Sequence, residues 1–361
     1  MAHWRNSQSN NHLSAHHSAT DQLVTQFSGQ HALFRPVYSY PLSDHCDDGQ
    51  FFNPELRQNP TLHRSASMYE WLLFRKPAQW PQREAALHCP DKPVARPDAL
   101  LDDWKVWFVG HASVLIQIGP YNFLTDPVWG QHASPLPHLG PKRVRPAGIA
   151  LADLPRIDAV LLSHNHYDHL DLASLNWLHQ RDGMPIYTGL ANAGYLPSGM
   201  QVIELDWWQQ ASFVPSPQIQ IVYTPAQHFS GRGLKDGNKA LWGGLSILTP
   251  DDHCFFAGDT GYANHFKQIY QRLGAPRLSL LPIGAYEPRA LMRSMHMNPA
   301  DAVQAHLDLH SQRSLSIHYR TFQLTDEAIN QPLIELASAL TDAQITDQSF
   351  FNLLEGYGCT V

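Results

Sequence analysis

Charged side chains are scarce in this sequence, at 16% of 361 residues, and no run of lysines or arginines occurs in it. Its 25 basic residues are outnumbered by 32 acidic ones, which gives a formal net charge of −7 at neutral pH. Nonspecific binding to nucleic acids requires clustered positive charge, so the composition predicts no nucleic-acid partner. The 43% of hydrophobic residues is typical of a compact globular enzyme rather than of a disordered chain.

Cysteine is also rare, and its spacing contains no CxxC metal motif and favours free thiols over disulfide bridges, which stay an alternative. Cys46, Cys89, Cys254 and Cys359 show no paired spacing, and we interpret them as free thiols in a reducing compartment. The N-terminal segment lacks a basic region followed by an apolar one, and no apolar run reaches the length of a transmembrane helix. These absences predict a cytoplasmic protein, with or without peripheral contact on the inner face of the membrane.

Three segments of the chain differ in composition. Residues 1–30 are rich in Ser, Asn, Gln and His, and we expect a disordered polar arm there. Residues 31–103 are rich in proline and aromatic residues and contain one convincing short helix at 68–75, which predicts an N-terminal wrap packed on the main body. Residues 104–361 form the predicted main domain.

The main domain alternates between strand-like and helix-like segments. The predicted strands are 105–118 on both sides of a Gly-His pair, 122–125, 159–162, 218–224, 241–249, 253–258 and 315–317. The predicted helices are 151–155, 170–179, 265–273, 298–309 and 325–340. This alternation predicts an α/β layered fold whose functional residues lie on loops at strand ends.

The densest group of chemically active residues is the motif His-x-His-x-Asp-His, formed by His164, His166, Asp168 and His169 directly after an apolar strand. Neutral imidazole suits zinc, and a carboxylate adds a hard oxygen ligand. Four ligand-type residues in so short a turn cannot all bind one ion comfortably, so the spacing predicts two adjacent metal ions. A solvated histidine-rich loop is the alternative interpretation.

Three later residues are candidates for completing such a site. His228, Asp259 and His318 each follow an apolar strand-like segment. Taken alone, a histidine at a strand end is more often hydrogen-bonded than metal-bound, and Gly-Asp-Thr-Gly is often only a turn. Their order and context after the first motif favour metal binding.

A His-x-His-x-Asp-His motif followed by a distant His, an Asp and a final His resembles the metallo-β-lactamase superfamily. Within that superfamily the chain is most similar to the N-acyl-phosphatidylethanolamine-hydrolysing phospholipase D family, over roughly residues 50–330. Besides the metal motif, the matching segments are Phe51-Phe52-Asn53-Pro54, Gly110-His111-Ala112-Ser113, Leu124-Thr125-Asp126-Pro127-Val128-Trp129, Gly140-Pro141-Lys142-Arg143, Pro225-Ala226-Gln227-His228-Phe229-Ser230, Ala257-Gly258-Asp259-Thr260-Gly261-Tyr262 and Met297-Asn298-Pro299-Ala300-Asp301-Ala302-Val303.

The resemblance implies a metallo-β-lactamase αβ/βα four-layer sandwich with an N-terminal extension, and it implies that residues 104–361 are a hydrolase domain. It also implies two zinc ions, with manganese or iron as alternatives. The implied ligands are His164, His166 and His228 for one ion, and Asp168, His169 and His318 for the other. Asp259 and a hydroxide would bridge the two ions.

The resemblance further implies a position near the substrate for His296, which makes it a candidate proton donor or phosphate contact; capping or packing beside a helix is its alternative role. Asp168 is expected to orient the hydroxide as well as to bind metal. His111 is interpreted as a structural residue below the site. The family has a Gly two residues after the last ligand, in His-aromatic-Gly-Thr-Phe, where this chain has Arg320. That arginine could narrow the site or bind an anionic group.

The implied function is that of a zinc-dependent hydrolase, a phospholipase D-type phosphodiesterase that cleaves N-acyl-phosphatidylethanolamine or a related phosphodiester by attack of a metal-bridging hydroxide. A lactone or sugar-phosphate lactone hydrolase on the same fold is one alternative. A metal-binding or redox scaffold like the flavin-linked diiron proteins is another. The N-terminal wrap and the Gly-Pro-Lys-Arg segment favour the phospholipase, and the all-histidine character of the first motif favours zinc.

A phospholipid or other phosphodiester substrate in a bilayer would require an apolar surface on the enzyme. Trp207-Trp208 with Phe213-Val214, and the segment 136–139, are candidates for such peripheral membrane contact. Ordinary core or interface packing is the alternative for these residues. Self-association into a homodimer through the same surfaces is a further option.

Overall fold

The computed structural model describes residues 43–58, 68–85, 92–136 and 138–361. The predicted polar arm, residues 1–30, lies outside the described residues, as does the beginning of the predicted wrap. The three described cysteines, Cys46, Cys254 and Cys359, are free thiols, in agreement with the sequence interpretation.

Two seven-stranded sheets form the centre of the molecule, preceded by a small hairpin of β1 (Cys46–Asp47) and β2 (Gln50–Phe51). The first sheet contains, from edge to edge, β16 (Gly358–Thr360), β3 (Trp104–Gly110), β4 (Ser113–Ile118), β5 (Tyr121–Thr125), β6 (Ala159–Leu162), β7 (Ile186–Gly189) and β8 (Val202–Leu205). The second contains β15 (Phe350–Phe351), β14 (Arg313–Ile317), β13 (Leu278–Pro282), β12 (His253–Phe256), β11 (Gly244–Leu248), β10 (Gln220–Thr224) and β9 (Gln210–Ser212).

The two sheets repeat one pattern of strand directions. In the first, β16, β3, β4 and β5 pair antiparallel, and β5 to β8 pair parallel. In the second, β9 to β12 pair antiparallel and β12 to β15 pair parallel. Each sheet therefore has a hairpin half and a half that needs crossover connections, where helices are expected.

The seven α-helices are α1 (Pro54–Gln58), α2 (Met68–Phe74), α3 (Leu172–Asp182), α4 (His265–Leu273), α5 (Arg289–Met292), α6 (Pro299–Asp308) and α7 (Gln331–Asp342), within the described part of the chain. Short 3-10 turns lie at Leu151–Asp153 and Asn192–Tyr195. Among the described residues, no helix combines the length and the apolar character that a membrane span requires.

Side chains from both sheets share one apolar core, and helices cover the outer faces. Phe108 of the first sheet and Tyr223 of the second belong to the same buried cluster. Leu175 and Leu178 of α3 pack in a separate cluster on the other face of the first sheet, while α4, α6 and α7 bury residues against the second sheet. The result is the predicted four-layer αβ/βα sandwich.

Local chemistry explains how α6 begins. The Asn298 side chain accepts a hydrogen bond from the backbone of Asp301, whose carboxylate bonds back to the N-cap backbone, and Pro299 occupies the first turn. This is a capping box with proline at a position where its missing N–H costs nothing. The Asn-Pro-x-x-Ala segment is therefore the start signal of the helix that follows His296.

Most predicted elements are present, but the helix predicted at 325–340 begins later, at Gln331. Glu327 is the reason, because its carboxylate accepts hydrogen bonds from the backbone of Ala285 and Glu287 and from the Thr325 hydroxyl. These bonds hold the segment before Gln331 as a loop. The parallel strands β7, β8 and β13 were not predicted from the sequence.

Strand direction determines where the functional loops meet. In the first sheet β3, β5 and β6 run the same way, and in the second β10, β12 and β14 do. The carboxyl ends of these six strands lie along one edge of the sandwich, the edge at which layered α/β folds present their functional loops.

Candidate metal centre

A group of three histidines forms one half of the cluster at this edge. His166 Nδ1 lies 2.8 Å from His164 Nε2 and 3.2 Å from His228 Nε2. His164 and His166 come from the loop after β6, and His228 comes from the loop after β10. We call these residues the three-histidine group.

Hydrogen bonds on the far side of two rings fix which nitrogens face the group. Ser163 Oγ donates to Asp126 and therefore accepts from His164 Nδ1 at 2.9 Å. His228 Nδ1 donates to the Met295 carbonyl at 2.9 Å. Both Nε2 atoms thus carry a lone pair directed at the group, which is the ligand form of imidazole.

Burial keeps the three-histidine group neutral. Removal from water, together with neighbouring imidazoles, lowers the pKa of His166 to about 3 and that of His164 well below its usual value. Burial also lowers the pKa of His228 to about 4, although the Asp259 carboxylate opposes the shift. Three close neutral nitrogens offer lone pairs to a cation without competition from protons at pH 7.

The second half of the cluster combines a carboxylate with three imidazoles, and we call it the carboxylate group. Asp168 Oδ2 lies 2.9 Å from His111 Nε2 and 3.3 Å from the Nε2 atoms of His169 and His318. His169 Nδ1 donates to Asp126 at 2.6 Å, so its Nε2 also presents a lone pair unless it carries a proton.

Asp259 lies between the two groups. Its Oδ2 is 3.1 Å from the Nε2 atoms of His169 and His318, and 3.8 Å from Nε2 of His228. Burial alone would lower the pKa of His318, but the charges of Asp259 and Asp168 outweigh it and raise that pKa to about 9. The same imidazoles hold the pKa of Asp259 well below its usual value, against the effect of burial.

His296 forms one wall beside Asp259. Its Nδ1 lies 3.9 Å from Asp259 Oδ2, and its ring centroid is 5.0 Å from that of His228 and 5.6 Å from that of His318. Arg289 donates to the His296 carbonyl at 2.9 Å, which fixes the backbone rather than the imidazole. The Nδ1 atom of the His296 imidazole is buried and has no hydrogen-bond partner among the described residues.

Two residues of the cluster were not proposed as functional from the sequence. His111, expected to be structural, has its ring centroid 4.1 Å from that of His318. The Asp126 carboxylate accepts hydrogen bonds from the Ser163 backbone N–H at 2.7 Å, from the Ser163 hydroxyl at 2.6 Å and from His169 Nδ1. It therefore fixes both ends of the first motif. The signal available for each was a polar residue directly after a strand, in Gly-His-Ala-Ser and Thr-Asp-Pro.

Left-handed backbone marks several of these loop residues. His111, Asp126 and His318 have φ values of 57°, 28° and 62°, a region that costs a non-glycine residue roughly 1–2 kcal/mol. A β-carbon on Gly284 would lie only 2.1 Å from the His318 carbonyl oxygen, so glycine is required there. Such strain persists where surrounding bonds over-determine the geometry.

Arg320 also has left-handed backbone, with a φ of 63°. Its Nε is buried and has no hydrogen-bond partner among the described residues. The expectation that it narrows the site or binds an anionic group stays a prediction.

The predicted wrap contributes directly to the position of His228. Asn53 donates to the His228 carbonyl at 2.7 Å and accepts from the His228 backbone N–H at 3.1 Å. Trp71 and Trp80 donate to Asp326 and to the Glu327 carbonyl. The boundary of the wrap at residue 103 stays a prediction.

The cluster meets the requirements of a divalent metal site. Its donors are imidazole nitrogens and carboxylate oxygens, the set that suits zinc and related ions. His169 Nε2 and Asp259 Oδ1 are buried and make no hydrogen bond among the described residues. Lone pairs brought so close repel one another unless a cation or a proton lies between them.

All seven residues predicted as ligands from the sequence lie in this one cluster, together with His111. They are His164, His166, Asp168, His169, His228, Asp259 and His318. Four overlapping sets of these and neighbouring side chains place their donor atoms within 4.8 Å of one another. A sandwich of two mixed sheets with a buried histidine–carboxylate cluster at one edge defines a metal-dependent hydrolase fold of the metallo-β-lactamase class.

Comparison with known proteins agrees with this class. The sequence model of the beta-lactamase superfamily domain matches residues 121–319. An uncharacterised protein of Mycobacterium tuberculosis is 36% identical over 308 residues, which are 83% of this chain and 80% of that protein. The N-acyl-phosphatidylethanolamine-hydrolyzing phospholipase D 1 of Caenorhabditis elegans is 37% identical over 257 residues, 67% of this chain and 72% of that protein.

Among solved structures, a metallo hydrolase from the archaeon Ignicoccus hospitalis shares the fold, with a TM-score of 0.54. It is 22% identical and covers 72% of this chain and 98% of its own. The chain belongs to the beta-lactamase superfamily and is a hydrolase of that superfamily with N-acyl-phosphatidylethanolamine-hydrolysing phospholipases D among its relatives.

The Asn53 amide provides a test of how His228 is positioned. Asn53→Ala leaves the N–H and C=O of His228 without their partner, and we expect it to lower the free energy of unfolding by about 1–3 kcal/mol. Urea denaturation measures the change. Asn264→Ala is the matched control, because the Asn264 side chain makes no capping hydrogen bond, and it should change stability by less than about 0.5 kcal/mol. Equal losses in both variants would contradict the assignment.

Proposed function

We propose that this protein is a phospholipase D-type phosphodiesterase with two zinc ions that cleaves N-acyl-phosphatidylethanolamine or a related phosphodiester. The observation that carries the proposal is the position of Asp259, whose Oδ2 lies within 3.8 Å of ligand-type nitrogens from both groups. A carboxylate so placed suits two ions held side by side.

The ligand assignment follows the two groups. The three-histidine group would hold one ion, and Asp168, His169 and His318 the other, with Asp259 shared between them. His111 is neutral, since burial lowers its pKa to about 3, and its Nε2 donates to Asp168. We therefore propose that His111 orients the Asp168 carboxylate and does not itself bind a metal ion.

Two such ions, when bound, would lower the pKa of water and stabilise charge on a phosphodiester oxygen. The chain supplies the remaining functions. Asp168 would accept a hydrogen bond from the attacking hydroxide and orient it toward the phosphorus. His296 Nδ1, which lies next to Asp259 and has no hydrogen-bond partner among the described residues, would contact the phosphate or donate a proton to the departing alcohol.

An apolar wall beside the cluster favours a lipid substrate over a sugar-phosphate lactone. The ring of Phe229 lies 4.5 Å from that of His166 and 4.7 Å from that of His228. Trp71 and Phe229 pack against a buried cluster of Leu291, Met292 and Met295, directly before His296. Flexible methionines and aromatic rings accommodate acyl chains by apolar contact. The C. elegans relative is named for hydrolysis of N-acyl-phosphatidylethanolamine, a substrate of the same class.

Several exposed apolar side chains of the described residues suit contact with a bilayer. Leu136 and Leu139 are 52% and 63% exposed, and Leu73 and Phe74 of α2 are 77% and 76% exposed. By contrast Phe213, one of the residues considered for membrane contact, is fully buried. We propose peripheral contact through the exposed leucines and Phe74 on the cytoplasmic side, where free thiols such as Cys46 stay reduced.

The substrate assignment is tested by hydrolysis of N-acyl-phosphatidylethanolamine in mixed micelles, with bound metal quantified. Wild-type protein should release N-acylethanolamine and phosphatidic acid. Asp259→Asn should lower kcat/KM by about a thousandfold or more, because it removes the shared charge. His296→Gln should lower kcat by about a hundredfold with metal content unchanged. Asp342→Asn, an exposed carboxylate of α7, is the control and should behave as wild type.

Two results would contradict the proposal in different ways. Turnover of a lactone, with two bound metals and no phosphodiester cleavage, would keep the metal centre and replace the substrate. Full activity in Asp259→Asn would refute the metal centre itself.

The two halves of the cluster should bind metal with different dependence on pH. Protons on His318, whose pKa is raised to about 9, and on His169, whose pKa the Asp259, Asp168 and Asp126 carboxylates hold well above its usual value, both compete with metal. Affinity at the carboxylate group should therefore rise at least about tenfold per pH unit from pH 7 to 9. The three-histidine group is already neutral and should show no such change. Titration of apoprotein with Co²⁺, followed by absorbance, separates the two. A single pH dependence for both ions would contradict the assignment.

Membrane contact is tested by sedimentation with phosphatidylcholine vesicles. The double substitution Leu136→Ser and Leu139→Ser should lower the bound fraction severalfold, because it removes exposed apolar area. Ile334→Ser on α7, where the side chain is 62% exposed, is the matched control. Equal losses for both proteins would mean that the 136–139 segment has no special role.

A further inference from the structure

Two loops at the edge of the sandwich that carries the metal cluster expose leucines. Leu234, on the loop after β10 (residues 225–243, the β10 loop), is 104% exposed and is the most exposed large apolar side chain of the described residues. Leu136 and Leu139, at 52% and 63% exposed, lie on the first part of the connection after β5 (residues 126–148, the β5 loop). Because both strands end at this edge, the three leucines belong to the same side of the molecule.

Hydrogen bonds hold the tip of the β10 loop in a fixed shape. The Asp236 carboxylate accepts the backbone N–H groups of Arg232 at 3.1 Å and Gly233 at 2.7 Å. It also accepts the Tyr195 hydroxyl at 3.0 Å, which ties the tip to the segment after β7. A leucine carried on such a turn stays exposed and keeps its apolar area available to a partner outside the chain.

The base of the same loop is bound to the first metal motif. The Arg232 guanidinium donates to the carbonyls of Asn165 at 2.8 Å and Leu170 at 2.9 Å. It also lies 3.9 Å from the centroid of the Tyr167 ring. These contacts fix the position of Leu234 relative to the segment that carries His-x-Asp-His.

The β5 loop packs on the next residue of that segment. The Gly130 backbone N–H donates to the Asp171 carboxylate at 2.9 Å. Because Arg232 bonds to Leu170 and Gly130 bonds to Asp171, the two loops contact adjacent residues at the end of the metal motif. Their exposed leucines therefore belong to one surface beside the metal cluster.

The charges on the two loops favour an anionic partner. The exposed charged side chains among their described residues are Lys142, Lys235 and Lys239. The carboxylates of the loops do not oppose these charges from the surface, because Asp126 is buried and Asp236 is engaged in closing its own turn. This surface is therefore positive on a chain whose net charge is −7.

Exposed leucines flanked by lysines match the chemistry of an anionic bilayer. Leucine side chains leave water when they enter the boundary between headgroups and acyl chains, while lysine reaches lipid phosphates with its ammonium group. Each lysine close to an anionic leaflet strengthens binding, and salt screens that attraction.

We propose that the β5 loop and the β10 loop together form a docking surface for anionic bilayers. Leu234 enters the bilayer beside Leu136 and Leu139. Lys235 and Lys239 contact lipid phosphates, so that the edge with the metal cluster faces the lipid. This docking surface rests on the peripheral membrane contact of the proposed function, but it requires no catalytic step.

The test is sedimentation of the full-length protein with phosphatidylcholine vesicles and with vesicles of equal parts phosphatidylcholine and phosphatidylglycerol. Wild-type protein should bind the anionic vesicles at least about tenfold more tightly, and raised salt should remove that difference. Leu234→Ser should weaken binding to both kinds of vesicle about tenfold, because it removes apolar area. The double substitution Lys235→Gln and Lys239→Gln should weaken binding to the anionic vesicles about tenfold and leave binding to phosphatidylcholine unchanged.

Val214→Ser is the matched control. Val214 is 71% exposed, but it lies in the turn before β10, at the opposite edge of the sandwich, and no charged residue occurs from 213 to 219. This variant should bind both kinds of vesicle as wild type does. Circular dichroism verifies that each variant is folded.

Vesicle binding is measured without a substrate, so the docking surface and the phosphodiesterase assignment can fail separately. Equal binding of wild type to both kinds of vesicle would overturn the docking proposal. So would unchanged binding by Leu234→Ser, or a loss in Val214→Ser as large as that in Leu234→Ser. The expected vesicle binding without hydrolysis of N-acyl-phosphatidylethanolamine would support the docking surface and overturn the phosphodiesterase assignment alone.

Discussion

The structure depends on holding many electron-rich groups close together out of water. Nitrogens of the three-histidine group lie 2.8–3.2 Å apart, and the Asp168 and Asp259 carboxylates face imidazoles that are 0–2% exposed. Such an arrangement is unfavourable unless cations or protons lie among the groups. The hydrogen bonds of Asp126 and Asn53 and the left-handed backbone at His318 hold the loops of the cluster in place against that tendency. The need to hold these electron-rich groups together thus explains hydrogen bonds as far away in the sequence as those of Asn53 in the N-terminal wrap.

The repeated strand pattern of the two sheets explains how distant segments reach one edge. Each sheet has an antiparallel half and a parallel half, and the strands that carry the cluster run in the same direction within each sheet. Apolar residues of both sheets form the common core, which leaves the loops free to carry polar groups. The loop after β10 in this way brings His228 to the histidines of the loop after β6.

Much of the candidate site could be predicted from the sequence, because its ligand-type residues follow apolar strands and four of them occupy one short motif. The fold class followed from the same motifs through their resemblance to a family. The role of Asp126 could not be predicted, since an Asp after a strand is as often a turn residue, and its bonds to Ser163 and His169 exist only after folding. The same holds for His111, which reaches Asp168 across 57 residues. Glu327 stops the helix predicted at 325–340 by bonding to a segment that no local pattern connects with it.

Anomalous diffraction from crystals of the purified protein, recorded on both sides of the zinc absorption edge, tests the central claim most directly. Two peaks are expected. One lies among His164, His166 and His228, the other among Asp168, His169 and His318, and both are next to Asp259. One peak only, or peaks elsewhere in the molecule with this cluster empty, would contradict a dinuclear centre at the sheet edge.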